Sequence, residues 1–233
     1  ILYKRPEKTL TRSYVLSLLK DRQRIRDLVR ELILQNLSSD EVTGRDLVAE
    51  DVIIQYVLKT LEREAEYLEG KPDLRILGLE KRFCWEMDGF RFTGTMDRLD
   101  SFGNGTARVV DYKTGSVSDL EFEVPDGREE EVAEKLFNPE SKSRPKIALQ
   151  MFLYDVVAKD IPGVERVENS IYSPPDLFVH PVTDREINAK FASLVREGVS
   201  RTLAEIVDTS VPFRRTGIPE RCEWCDFKMI CGR

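Results

Sequence analysis

Apolar residues recur at helical spacing over residues 11–36, where Val15, Leu18, Leu19, Ile25, Leu28, Val29, Leu32 and Ile33 stand between charged positions. That period is the mark of one amphipathic helix. A polar stretch, Ser38-Ser39-Asp40 and then Thr43-Gly44, precedes a second helix over residues 46–69. Leu47, Val57, Leu61 and Leu68 carry this helix, and Gly70-Lys71-Pro72 stops it. From residue 74 to 113 the period turns strand-like. Leu74–Trp85, Phe90–Leu99 and Ala107–Lys113 read as strands, joined by Met87-Asp88-Gly89 and Phe102-Gly103-Asn104-Gly105, whose turn chemistry favours hairpins. Residues 116–145 are acidic, then proline-bearing and basic, and read as a long loop or flap. Beyond it the pattern predicts a helix at Ile147–Lys159, short strands at Val167–Tyr172 and Leu177–Val179, and a long helix at Arg185–Val207. The expected class is α/β, with a central mixed sheet flanked by helices and a helical N-terminal segment. The expected organisation is a helical segment over 1–72, a core over 73–215 and a cysteine motif over 216–233 packing on that core.

Composition narrows the function classes. At 233 residues, with 41% hydrophobic and 33% charged, the chain supports one sizeable domain with a true core and a solvated surface. It has no apolar run of about 18 residues and no signal-peptide pattern, so no membrane span is expected. It begins at Ile1 without an initiator Met, and the motifs described below lack N-terminal members, so a piece of a longer protein is expected. The net charge of −6 argues mildly against a nonspecific nucleic-acid coat but is compatible with a metal site, which needs carboxylates, and with locally clustered basic residues. Arg12, Lys20, Arg22, Arg24, Arg26 and Arg30 form a local basic cluster, either a DNA-facing patch or a solvated helix face. Three of the four cysteines fall within ten residues near the C-terminus, unlike a disulfide framework and like metal ligation in a reducing, cytoplasmic compartment.

The most informative segment is Gly94-Thr95-Met96-Asp97-Arg98, followed by Val109-Val110-Asp111-Tyr112-Lys113-Thr114-Gly115. Side chains alternate along a strand, so Asp111 and Lys113 project from one side, and a returning hairpin brings Asp97 beside them. Two carboxylates in a water-rich shell suit Mg2+ or Mn2+. A lysine alongside can orient a water or offset developing negative charge. Alone, Asp-Tyr-Lys is a weak signal that a charged strand end also produces. Gln150 and Tyr154 stand at i and i+4 on an expected helix and share a face, either toward a substrate or as its polar edge.

In combination, Gly94-x-x-Asp97, Asp111-x-Lys113 and Gln150-x-x-x-Tyr154 resemble the PD-(D/E)XK nuclease superfamily, and within it the branch holding the nuclease domains of the RecB and AddB helicase-nucleases. The resemblance spans about residues 75–233. It implies a restriction-endonuclease-like fold, metal binding by Asp97 and Asp111, and assistance to the attacking water from Lys113. It also implies that Gln150 and Tyr154 contact DNA or support the site, with Glu80 in a supporting role. Members of the branch often supply a metal-binding His from a helix ahead of the strands. The one histidine here, His180 beside Pro181, reads as a strand-end residue.

Cys222-Glu223-Trp224-Cys225 and Cys231 form C-x2-C-x5-C, a spacing that lets thiolates converge on a metal. In the same branch three such cysteines join a fourth from the N-terminal side around an iron–sulfur cluster. Cys84 reads as a buried strand residue rather than that fourth ligand, which is then expected upstream of Ile1, with the cluster in the full-length protein. A three-cysteine zinc site or free thiols are the alternatives. The function expected is a Mg2+- or Mn2+-dependent DNA exonuclease of break repair, partnered with a helicase. The alternative is an inactive nuclease-like module that binds DNA or a helicase. A small-molecule metal hydrolase lacks the His-rich ligand sets it would need.

Overall fold

The computed structural model describes residues 2–3, 9–37, 41–180, 184–212 and 214–232. The Ser38-Ser39-Asp40 turn and Pro181 lie outside the described residues. The chain forms two compact units. One comprises residues 1–83, 95–117 and 158–186, and the other residues 84–94, 118–157 and 187–233.

The chain opens with strand β1 (Thr9–Leu10), helices α1 (Arg12–Lys20), α2 (Arg22–Asn36) and α3 (Arg45–Tyr67), all in the first unit, and strand β2 (Leu74–Met87), whose residues from Cys84 on belong to the second. The single helix expected over 11–36 is two. Asp21 ends α1 and caps α2, its carboxylate accepting the Arg24 N–H at 3.2 Å. Apolar periodicity runs through the break unchanged, but an Asp that satisfies the free N–H groups of a new helix favours a start at that point. Buried Val15, Leu18, Ile25 and Val29 pack with Ile54, Leu58, Leu61, Leu68, Leu74 and Ile76 in one core.

Strand β3 (Phe90–Ser101) returns from β2 through Asp88 (φ 53°) and Gly89 (φ 79°). Two successive positive φ values match the twist of a tight hairpin, which is why Asp-Gly specifies it. Strand β4 (Thr106–Tyr112) pairs antiparallel with β3, Arg98 opposite Val110 and Asp100 opposite Arg108. It then pairs parallel with β5 (Arg166–Tyr172), Arg108 beside Glu168 and Tyr112 beside Tyr172. With β6 (Asp184–Arg185) the sheet order is β1-β2-β3-β4-β5-β6, a mixed sheet as expected. Residues 106–111 of β4 are all buried, as in a strand covered on both faces.

Between β4 and β5 the chain is more regular than the expected flap. It holds a short 3-10 turn at Asp119–Glu121, helix α4 (Glu129–Phe137) and helix α5 (Lys146–Lys159). In the second unit α4 packs on α7 (Ala189–Val207), where Gly198 lies against the Phe137 ring so closely that a side chain there would clash with it.

The strand expected at Leu177–Val179 is replaced by a helix end at Leu177 and a turn at Phe178 and Val179. Pro174 and Pro175 start α6 (Pro174–Leu177), because their fixed φ suits a first helical turn. His180 follows that helix, exposed, with its backbone N–H donating to Asp176 O at 2.8 Å, and so ends no strand. The helix expected from Arg185 begins at Ala189, because Arg185 belongs to β6 and Asn188 supplies the cap through its side chain. Cys84, expected to be buried, is exposed, because the strand alternation turns its neighbours Phe83 and Trp85 inward.

Candidate active site

Asp97 sits on β3, Asp111 at the end of β4, and Lys113 immediately beyond it. The β3–β4 register, carried one residue past Arg98–Val110, sets Asp97 across from Asp111. The structure therefore brings the three expected side chains together. Lys113 Nζ lies 2.6 Å from Asp111 Oδ2, and Asp97 Oδ2 accepts the Tyr112 backbone N–H at 2.7 Å. Asp111 is buried while Lys113 is half-buried, so the pair faces solvent on the ammonium side.

Electrostatics distinguish this spot from an ordinary charged strand end. Burial pushes the Asp97 carboxyl above its usual range, and the negative charges of Asp111 and Glu80 push in the same direction. The Tyr112 N–H and the Lys113 charge oppose them without reversing the shift. Adjacent carboxylates that resist joint ionisation are a place where a cation lowers the energy.

Glu80 is exposed and holds φ 50°, a left-handed backbone that a non-glycine residue rarely adopts inside a strand. It lines, with Asp97, Tyr112, Tyr56 and Leu32, a mostly apolar groove of about 910 Å3 in the first unit. Strain of this kind re-aims a side chain at some energetic cost and clusters at functional sites.

Among the described residues no three His, Cys, Asp or Glu side chains gather as a ready-made metal site. Two carboxylates fit a hydrated hard cation, since Mg2+ takes one or two protein carboxylates and fills its octahedron with water and substrate phosphate. Of the motif cysteines, Cys222 is buried, Cys225 half-buried and Cys231 exposed, and they are not among any ready-made metal group of the described residues.

In the second unit Gln150 and Tyr154 do share one face of α5. Gln150 Nε2 donates to the Tyr154 hydroxyl at 2.5 Å, with Tyr154 buried and Gln150 half-buried. The basic cluster is partly committed to structure. Arg30 binds both oxygens of Glu50, at 3.0 and 3.1 Å, and Arg12 bonds Ala65 O and Glu69.

Sequence reasoning missed the group beneath the strands. Glu64 of α3, Arg98 and Asp100 of β3, and Arg108 of β4 are all fully buried and mutually ion-paired. Burial alone would raise the Glu64 carboxyl, but Arg98 and Arg108 outweigh it and hold Glu64 at about 2. The signal was present. Glu64 stands three residues after Leu61 and four before Leu68, on the apolar stripe of its helix.

Compared with known proteins, residues 8–232 match the family model of the PD-(D/E)XK nuclease superfamily. No curated protein matches the chain. No described helix is long and apolar enough to cross a membrane.

Proposed function

The chain belongs to the PD-(D/E)XK nuclease superfamily, and from that premise we propose that it is a divalent-metal-dependent DNA exonuclease of the RecB/AddB-like branch, acting in DNA repair beside a helicase. The superfamily consists of nucleases on the restriction-endonuclease-like α/β fold, so hydrolysis of phosphodiester bonds is the coarse activity. The observation that carries the finer reading is the meeting of two carboxylates and an ammonium from the adjoining strands β3 and β4 and the residue after β4, Lys113 Nζ being 2.6 Å from Asp111 Oδ2.

In this reading Asp97 and Asp111 hold Mg2+ or Mn2+. A divalent cation supplies charge neutralisation on the phosphate and a more acidic water. Lys113 orients the attacking water and offsets the negative charge that grows on the phosphate, a task suited to a half-buried ammonium in a low-dielectric pocket. The Tyr112 N–H fixes one oxygen of Asp97 and leaves the other to face the cation. Glu80 adds a third negative charge at the rim. Gln150 and Tyr154, already bonded to one another, contact DNA through the half-buried Gln150 or support the site from within.

The division into a helical segment (1–72), nuclease core (73–215) and cysteine motif (216–233) belongs to the same proposal, as does a cytoplasmic setting. An iron–sulfur cluster enters only as a property of a longer protein that supplies a further thiolate to Cys222, Cys225 and Cys231. Iron and acid-labile sulfide analysis of that protein decides the point.

The test is degradation of end-labelled linear DNA against covalently closed circular DNA, with Mg2+, Mn2+ or EDTA. The expected result is loss of the linear substrate with either metal, sparing of the circle, and no reaction in EDTA. DNA binding without cleavage under both metals would support instead an inactive DNA- or helicase-binding module.

A further inference from the structure

Side chains at odd and even strand positions point to opposite faces of a sheet. With Arg98 paired to Val110, Asp100 to Arg108 and Tyr112 to Tyr172, the residues Arg98, Asp100, Arg108, Tyr112 and Tyr172 share one face. Asp97 and Asp111 project from the other.

On the first face one carboxylate ties three strands together. Glu64 Oε1 accepts from Arg98 Nη2 at 2.8 Å and from Arg108 Nη1 at 3.0 Å. Its Oε2 accepts the Tyr172 hydroxyl at 2.7 Å. A single helix side chain therefore fixes β3, β4 and β5 laterally, through Arg98, next to Asp97, and Arg108, three residues before Asp111. A second route leads to the same place. Arg98 Nη1 donates to the Tyr112 hydroxyl at 3.4 Å, and the Tyr112 backbone N–H holds Asp97 at 2.7 Å.

Stability alone is a poor reason for this arrangement. Buried ion pairs contribute no more than well-packed apolar residues of the same volume, and often less. What charge-assisted, bidentate bonds provide and apolar packing does not is direction. Asp100 holds the Arg98 guanidinium from its other side, with Nε 3.0 and 2.9 Å from the two carboxylate oxygens, so Arg98 is fixed in its plane.

We propose that Glu64 is a positioning residue for the candidate site. By clamping Arg98 and Arg108 on one face of the sheet, it sets the spacing of Asp97 and Asp111 on the other. The assignment rests on the nuclease reading for its purpose, but it concerns cation affinity and is measurable without turnover.

The experiment titrates Mn2+ into wild type, Glu64→Gln, Tyr112→Phe and Tyr172→Phe, with free Mn2+ read by its electron paramagnetic resonance. Thermal melts and DNA affinity in EDTA accompany each titration. Residues that orient metal ligands from behind change affinity by about tenfold or more when removed. The expected result is a loss of Mn2+ affinity of about tenfold in Glu64→Gln, a smaller loss in the two Phe variants, and unchanged DNA affinity in EDTA. A folded Glu64→Gln chain with a lowered melting temperature and wild-type Mn2+ affinity overturns the proposal, leaving Glu64 a stabiliser only. Should Glu64→Gln fail to fold, the Phe variants decide, each lacking one hydroxyl of the network, and wild-type Mn2+ affinity in both is equally adverse. Wild type that binds Mn2+ but cleaves no DNA overturns the nuclease reading alone, and the comparison of variants still decides the role of Glu64.

Discussion

Asp111→Ala is expected to lower metal-dependent DNA cleavage by at least about 10²–10³-fold, the range for removing a preorganised charged group from a transition-state site, while the chain stays folded. Asp111 is the buried member of the carboxylate pair and the one that anchors Lys113. Its loss takes away a metal ligand and frees the lysine at once. The fold should tolerate the change. Lys113 is 27% exposed and can turn to solvent, and the substitution relieves the charge that Asp111 imposes on Asp97. Lys113→Ala should lose a similar factor in rate with metal binding preserved, because it removes the group facing the water and neither carboxylate. Cleavage rates and thermal melts of the two variants check both statements. Wild-type rates in both would remove the chemistry assigned to this site.

The second large effect concerns stability in acid. Glu64 is held at about 2 in the folded chain against an ordinary 4.5, because Arg98 and Arg108 outweigh the burial that alone would raise it. The unfolded chain therefore takes up this proton at a higher pH than the folded one. The stabilisation is complete above about pH 4.5 and fades as pH falls toward 2, a contribution of roughly 3 kcal/mol. Glu64→Gln leaves two buried guanidinium groups with Asp100 as their only fully buried carboxylate partner among the described residues. It should destabilise the chain by about 3–5 kcal/mol at neutral pH. Its stability should also fall less steeply than wild type between pH 4.5 and 2, since the titrating carboxyl is gone. Denaturant unfolding at a series of pH values measures both. Curves for variant and wild type with equal pH slopes would show that Glu64 is not the group responsible.

These two results concern opposite faces of the same strands, and they differ in how far the sequence disclosed them. Asp97, Asp111 and Lys113 were legible because strand alternation and a hairpin turn are local rules, and Asp88-Gly89 adopts the two positive φ values that its composition demands. The mixed sheet and α/β class were legible for the same reason. The break at Asp21 was hidden, since apolar periodicity runs across it and only the capping geometry separates α1 from α2. The helix at Pro174–Leu177 was hidden by short apolar residues that suit either state, although the proline pair could have decided it. Neither Glu64 nor Arg108 was singled out by the sequence pattern. A lone residue's pattern cannot show that its partners come from three strands and a helix distant in the chain. Arg98 was within the most informative motif, yet its neighbour Asp97 carried all the interpretation. The cysteine spacing was equally legible, but spacing states only that thiols can meet, and the described residues hold no ready-made group of three metal-ligating side chains.

The claim that everything else depends on is that Asp97 and Asp111 share one cation. The most direct measurement is anomalous scattering from crystals equilibrated with Mn2+. The account requires a peak within first-contact distance, about 2 Å, of one oxygen from each carboxylate, with the peak absent in Asp97→Ala crystals. An ion found elsewhere, or a peak unchanged in that variant, would contradict it.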